Sequence, residues 1–184
     1  MDDKIMLNTG GNNDGMDKNE FFKALGKSRG RTPEQGRQIR EYLKKAWEAE
    51  GLQLSYSGGR WGSSFDAQRL IALARSQGRE DEMIEAIYTA NHVEDLPLSD
   101  WSVLLDAAEK AGVEGAEQML KSEDYVAEIK GRIQEFRRMG INSVPVLIIN
   151  GKFPIHGAPE PELLEKLFHQ VIEKGDDSLA ALAA

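Results

Sequence analysis

Three histidines, His92, His156 and His169, and the serine pair Ser63-Ser64 are the side chains of this 184-residue sequence that could carry chemistry. There is no cysteine. That removes disulfides, thiolate nucleophiles, iron–sulfur clusters and cysteine zinc sites together. No two histidines have the i, i+4 spacing that puts two metal ligands on one helix face. Neither a metal nor a cofactor is expected. His92, in Asn91-His92-Val93-Glu94-Asp95, reads as a helix-end residue. His156 follows a hairpin and reads as an exposed edge residue before an acid–base group. His169 sits at helical spacing among charged neighbours. Ser63 and Ser64 precede an apolar run, where capping hydroxyls belong, so caps explain them better than nucleophiles. Trp47 and Trp101 fall on apolar helix faces and read as core. Trp61, in Gly58-Gly59-Arg60-Trp61-Gly62, is different, because an aromatic in a glycine-rich loop is placed to cover a cleft.

The surroundings of these residues are those of an ordinary folded protein. Apolar residues make up 40% of the chain and charged residues 29%, far from a disordered composition. A formal net charge of -8 repels phosphate backbones and anionic lipid, which argues against nucleic-acid and membrane-surface partners. No apolar run approaches the ~20 residues of a membrane helix. The first residues, MDDKIMLNTGGNNDG, lack a signal peptide's basic and apolar regions. These features imply a soluble, intracellular protein.

The elements that must position any site follow from punctuation. Ile5-Met6-Leu7 reads as a strand fragment and Phe21-Phe22-Lys23-Ala24-Leu25 as one or two helical turns limited by Gly26 and Gly30. Thr32-Pro33-Glu34-Gln35 opens a helix with a capping box, and Ile39, Leu43, Ala46 and Trp47 form its apolar stripe. Further helices are expected after Ser63-Ser64 and over Glu80–Asn91. Another should begin at Ser99 or Asp100, and a long one should follow a cap at Ser122. Short turns should fill 113–121. After Gly140 the pattern changes. Val144-Pro145-Val146-Leu147-Ile148-Ile149 is β-branched, apolar and short, so it reads as a strand buried on both faces. Asn150-Gly151 signals a hairpin. Lys152–His156 returns as a strand that lies at an edge or carries a bulge, because Pro154 cannot donate a ladder bond. A last helix from about Glu160 should bury Leu163, Leu164, Leu167, Phe168 and Val171. Residues 176–184 read as a flexible tail.

The segment from Gly140 to Lys152, GINSVPVLIINGK, resembles the C-terminal half of a thioredoxin fold. Gly157-Ala158-Pro159-Glu160-Pro161-Glu162 is similar to a turn of the FrnE branch of the DsbA family, and Ser63-Ser64-Phe65-Asp66-Ala67-Gln68-Arg69-Leu70 resembles a helix start of that branch. Together the matches span about residues 20–172. The implied fold is α/β. It is a partial thioredoxin-like fold of DsbA type, formed by 1–31 and 130–175 and interrupted by a large α-helical insertion over 32–129. The resemblance implies thiol–disulfide exchange as the activity and a cytoplasmic location. By the same resemblance, the Val144-Pro145 bond is cis and lies beside the family's active site. Backbone there would pair with an extended peptide, a thiol substrate or glutathione. Ser143, Val144, Pro145 and Trp61 are therefore the candidate binding residues, with no catalytic residue among them. On the structural side, Pro145 reads as a retained turn proline.

The family's Cys-x-x-Cys helix and the strand before it have no counterpart here. Ile5-Met6-Leu7-Asn8 resembles the end of the family's second strand, so the sequence is expected to be truncated by part of a βαβ unit of about 30 residues. The Val144–Ile149 strand then has an open edge. A second copy of the chain supplies the strand, or residues 1–10 rearrange to fill the gap, or the sequence is incomplete. Disulfide exchange needs a thiolate, so the chain by itself is expected to be inactive. The rival readings are a non-catalytic binding module at the Pro145 edge, or a relative of 2-hydroxychromene-2-carboxylate isomerase or kappa-class glutathione transferase.

Overall fold

The computed structural model describes residues 15–53, 55, 59–141, 145–150 and 153–174. The strand fragment expected at Ile5-Met6-Leu7 and the expected tail lie outside the described residues. The chain divides into two compact units, Met1–Gly131 and Arg132–Ala184.

In the first unit the helix signals are met closely. α1 (Lys18–Ser28) is longer than the one or two turns expected and runs through Gly26. Its first turn is secured by Asp17, whose carboxylate accepts from the Asn19 and Glu20 amides. α2 (Pro33–Ala49) has its capping box: Thr32 Oγ1 accepts from the Gln35 amide, and Gln35 Oε1 accepts from the Thr32 amide. Its stripe, however, is not buried. No residue of α2 is buried, and Ile39 and Leu43 stand exposed. Amphipathic spacing fixes which face is apolar, while burial also requires a neighbouring element to cover that face.

α3 (Phe65–Ser76), α4 (Glu80–Tyr88), α5 (Trp101–Ala111) and α6 (Ala116–Lys121) carry the core. Leu70, Met83 and Leu104 are fully buried there, each contributing about 1.5–3 kcal/mol of transfer free energy. Beyond Tyr88, α4 relaxes into a π-helical turn, Thr89–Val93, where a plain helix to Asn91 was expected. Asp100 caps α5 by accepting from the Ser102 amide, and Gly112 closes it in the left-handed conformation.

Two tryptophans depart from the core reading. Trp101 is 40% exposed and its indole N–H donates to Asp66 Oδ2 at 2.9 Å. Trp47 is half-buried, its ring centroid 5.6 Å from that of His92. α7 (Val126–Arg138) begins four residues after Ser122. The delay has a cause. Arg69, buried on α3, donates to the main-chain carbonyls of Met119, Ser122 and Asp124 and so holds that segment as a turn. Among α7's apolar positions Ile129 is buried and Phe136 is exposed.

In the second unit, β1 (Val146–Ile149) and β2 (Phe153–His156) form an antiparallel hairpin, and α8 (Pro161–Lys174) packs on it. Asn150 turns the chain in the left-handed region, φ 50°, which asparagine tolerates. Ile149 and Leu167 form the small core, with Leu147, Ile155 and Val171 against it. β1 is half-buried except for Ile149, less than the double-sided burial expected. On α8, Leu163 and Phe168 are exposed, contrary to expectation. A two-stranded hairpin is narrow and covers one stripe of the helix, so apolar residues on either side of that stripe stay in solvent.

Candidate functional site

The candidate site is the strand edge headed by Pro145, and its geometry follows from the hairpin register. Val146 lies opposite His156, Leu147 opposite Ile155, Ile148 opposite Pro154 and Ile149 opposite Phe153. Gly157 donates its amide to the Pro145 carbonyl at 3.0 Å, so these two residues form a hydrogen-bonded pair just beyond the ladder. Antiparallel pairs alternate between hydrogen-bonded and non-bonded positions. Leu147 and Ile149 therefore turn their main-chain groups toward β2, and Val146 and Ile148 turn theirs to the opposite edge. Among the described residues, β1 has a sheet neighbour on the β2 side only. The open edge thus offers the N–H and C=O of Val146 and Ile148, one residue and three residues beyond Pro145.

The same alternation explains Pro154. It sits opposite Ile148 at a non-bonded position, where its missing N–H would have pointed away from β1. The proline costs the hairpin no ladder bond. Of the other residues proposed from sequence, Pro145 is exposed, whereas Ser143 and Val144 lie outside the described residues. His156 ends β2 and is exposed. His169 is an exposed α8 residue 3.9 Å from Glu165.

Trp61 belongs to the first unit and is held by its neighbours. Residues 15–17 and 59–61 pair: Gly15 donates to the Trp61 carbonyl at 2.8 Å, Trp61 to Met16 at 2.7 Å and Lys18 to Gly59 at 2.9 Å. The indole stacks flat on Phe21, with centroids 3.9 Å apart and planes 8° apart, and Phe22 meets it edge-on. Its N–H is buried without a hydrogen-bond partner among the described residues. The glycines around it serve close approach. A Cβ at Gly59 would overlap the Asp95 carbonyl oxygen, and one at Gly62 the Ser99 hydroxyl.

Residues 11–169 match the family model of the DSBA-like thioredoxin domain. The chain belongs to this family. Among solved structures, a probable DsbA oxidoreductase from Streptomyces coelicolor superposes with a TM-score of 0.76 at 24% identity. The match covers 91% of this chain and 73% of that one, so the DsbA-like fold is shown. No curated protein matches.

Within this DsbA-like domain the Ser63–Leu70 segment meets the capping expectation only in part. Ser63 Oγ accepts from the Phe65 amide at 3.2 Å, whereas Ser64, which occupies the N-cap position of α3, makes no side-chain capping bond. Asp66 joins the Trp101 indole to the Arg69 guanidinium at 2.9 and 2.8 Å. Sequence reasoning missed a second anchor, the buried pair of Lys18 and Asp95, for which the only signal was a charged residue in each of two loosely patterned segments. Above it, His92 stacks on Tyr88 with centroids 5.5 Å apart. Burial first, and the Lys18 charge second, hold its imidazole below the usual histidine pKa. Among the described residues no three His, Asp or Glu side chains gather closely enough to hold a metal ion, and no helix is long and apolar enough to cross a membrane.

Proposed function

We propose that this chain is a FrnE-type member of the DsbA-like family that binds an extended peptide, a thiol substrate or glutathione along the Pro145 edge, and that it performs no thiol–disulfide exchange by itself. The observation that carries the binding reading is the open edge of β1. The main-chain donors and acceptors of Val146 and Ile148 are the groups an added strand uses. Affinity would come from that main-chain ladder, and Pro145 with Val144 would fix where the ladder starts. The Gly157-Ala158-Pro159 turn and the Phe65-Asp66-Ala67-Gln68-Arg69-Leu70 helix start support the FrnE assignment. A cytoplasmic location belongs to the same proposal and is tested by fractionation of the source cells.

The absence of exchange rests on chemistry. A disulfide is exchanged when a thiolate attacks one sulfur and the other leaves as thiolate. The chain contains no cysteine, so another molecule must bring the thiolate. The test is reduction of a peptide disulfide by dithiothreitol with and without the protein. Equal rates are expected; turnover above the blank would overturn this half of the proposal.

A further inference from the structure

The handedness of β1 and α8 fixes which side of the helix overhangs the open strand edge. Leu147 packs toward α8, and its main-chain groups turn to β2. Seen from α8 with β1 running upward, an L-residue that faces the viewer points its N–H and C=O to the right. β2 therefore lies to the right of β1, and the open edge lies to the left. Only residues 157–160 join β2 to α8. So short a connection makes the helix double back over the hairpin, so α8 runs in the direction of β1. Viewed along a right-handed helix from its start, each residue lies about 100° clockwise of the one before it. Leu167 and Val171 face the hairpin, so Phe168 and Ile172 stand to the left, above the open edge. They are 48% and 79% exposed and line a groove with Pro161, Leu164, Glu165 and His169. The right flank carries Lys166, Gln170 and Glu173 instead.

We propose that a second copy of the chain closes this edge, β1 against β1 about a twofold axis at Leu147, and thereby masks the ligand site. The proposal rests on the same open edge as the binding reading and adds its regulation. Val146 and Ile148 both face outward and stand equally far from Leu147. The twofold axis sets Val146 of each copy opposite Ile148 of the other, and each such pair exchanges two hydrogen bonds. Val146-Leu147-Ile148-Ile149 carries no charge to oppose the pairing. The outer edge of β2 is no rival, because Pro154 leaves it without an N–H at its centre. The two α8 helices then lie on one face, two strand spacings or about 10 Å apart, and helices pack at about 8–10 Å. Phe168 and Ile172 of each copy meet those of the other. An added peptide strand lies at the level of the sheet and reaches only the lower side of this flank, whereas a second helix covers Ile172 as well. Every contact is made by residues of the second unit.

Light scattering on the eluting protein is expected to give the mass of one chain at micromolar concentration and of two chains toward millimolar. F168K/I172K is expected to stay single throughout, and saturating reduced glutathione to return the pair to single chains. The cysteine-free sequence makes contact mapping clean. With a short bis-maleimide, F168C is expected to cross-link copy to copy, and K166C, on the other flank, is not. A single-chain mass at every concentration overturns the proposal. So does a pair that survives F168K/I172K, that cross-links equally through K166C, or that persists with glutathione bound at the Val146 and Ile148 amides. The binding reading fails separately. Chains that stay single at every concentration yet bind glutathione at those amides overturn the pairing alone. Chains that pair, with no shift from glutathione at micromolar protein, leave the pairing standing and remove the binding reading. Chains that stay single and bind an apolar peptide across Phe168 and Ile172 assign the flank to that peptide, and overturn the pairing.

Discussion

Lys18 and Asp95, 77 positions apart, close a buried ion pair, with Nζ 2.6 Å from Oδ1 and both side chains 5% exposed. The ammonium also donates to the Asn91 carbonyl at 2.9 Å, and the second carboxylate oxygen accepts from the Gly59 amide at 2.8 Å. One pair therefore ties α1 to the end of the π-helical turn and to the glycine loop that carries Trp61. Asp95 itself sits at φ 59°, a conformation aspartate accepts more readily than most residues.

Removing one partner leaves the other charge buried and uncompensated. Lys18→Met is expected to cost about 3–5 kcal/mol, whereas Lys18→Met with Asp95→Asn should cost less than the two single changes added together. Urea denaturation of the three variants measures this. Simple additivity would show that the pair is not coupled.

His92 predicts a pH dependence. Its folded-state pKa is lowered, chiefly by burial, so below its ordinary value of about 6.5 the unfolded chain takes up a proton that the folded chain resists. The histidine's contribution is complete above that value and is lost as pH falls toward and through the folded pKa. His92→Phe keeps a ring against Tyr88 and Trp47 but cannot titrate. Its urea midpoint is expected to fall less than that of the unaltered protein between about pH 7.5 and about pH 5. Equal falls would remove His92 from the account.

Arg69 donates to the Met119 carbonyl in the last turn of α6 and to the Ser122 and Asp124 carbonyls between α6 and α7. Arg69→Met takes a buried charged donor from those carbonyls and from the Asp66 carboxylate at 2.8 Å, although the Met119 carbonyl keeps the Ser122 amide and hydroxyl as donors. The change is expected to cost about 3–5 kcal/mol. Arg69→Lys should recover little, because an ammonium cannot span the fork. Hydrogen exchange is expected to quicken first at residues 122–126, the turn the guanidinium holds. Uniform loss of protection would place its role elsewhere.

The fold was legible wherever a local rule acts alone. Thr32-Pro33-Glu34-Gln35 carries its own capping box, Asp100 and Gly112 bracket α5, and Asn150 turns the hairpin. Legibility failed where burial depends on distant neighbours. The Ile39–Leu43 stripe has helical spacing, yet nothing in that spacing says whether another element lies against it. Trp101 has the size of a core residue, but its N–H was drawn outward by Asp66, 35 positions away. At the site, Pro145 was found from its place in a Val-Pro strand head. The open-edge groups of Val146 and Ile148 needed the register, although Pro154 already carried a hint. A proline inside a strand must occupy a non-bonded position, and that parity assigns the even-numbered residues of β1 to the outer edge once Ile148 is known to lie opposite it.

The central claim is that the β1 edge beside Pro145 accepts an extended ligand. The direct test follows backbone amide resonances of the isotopically labelled protein while reduced glutathione, or a short cysteine-containing peptide, is titrated in. The account predicts saturable shifts at the Val146 and Ile148 amides that exceed those at Leu147 and Ile149, whose main-chain groups already face β2. Shifts of equal size along both edges of the hairpin, shifts confined to other parts of the chain, or none with either ligand would contradict it.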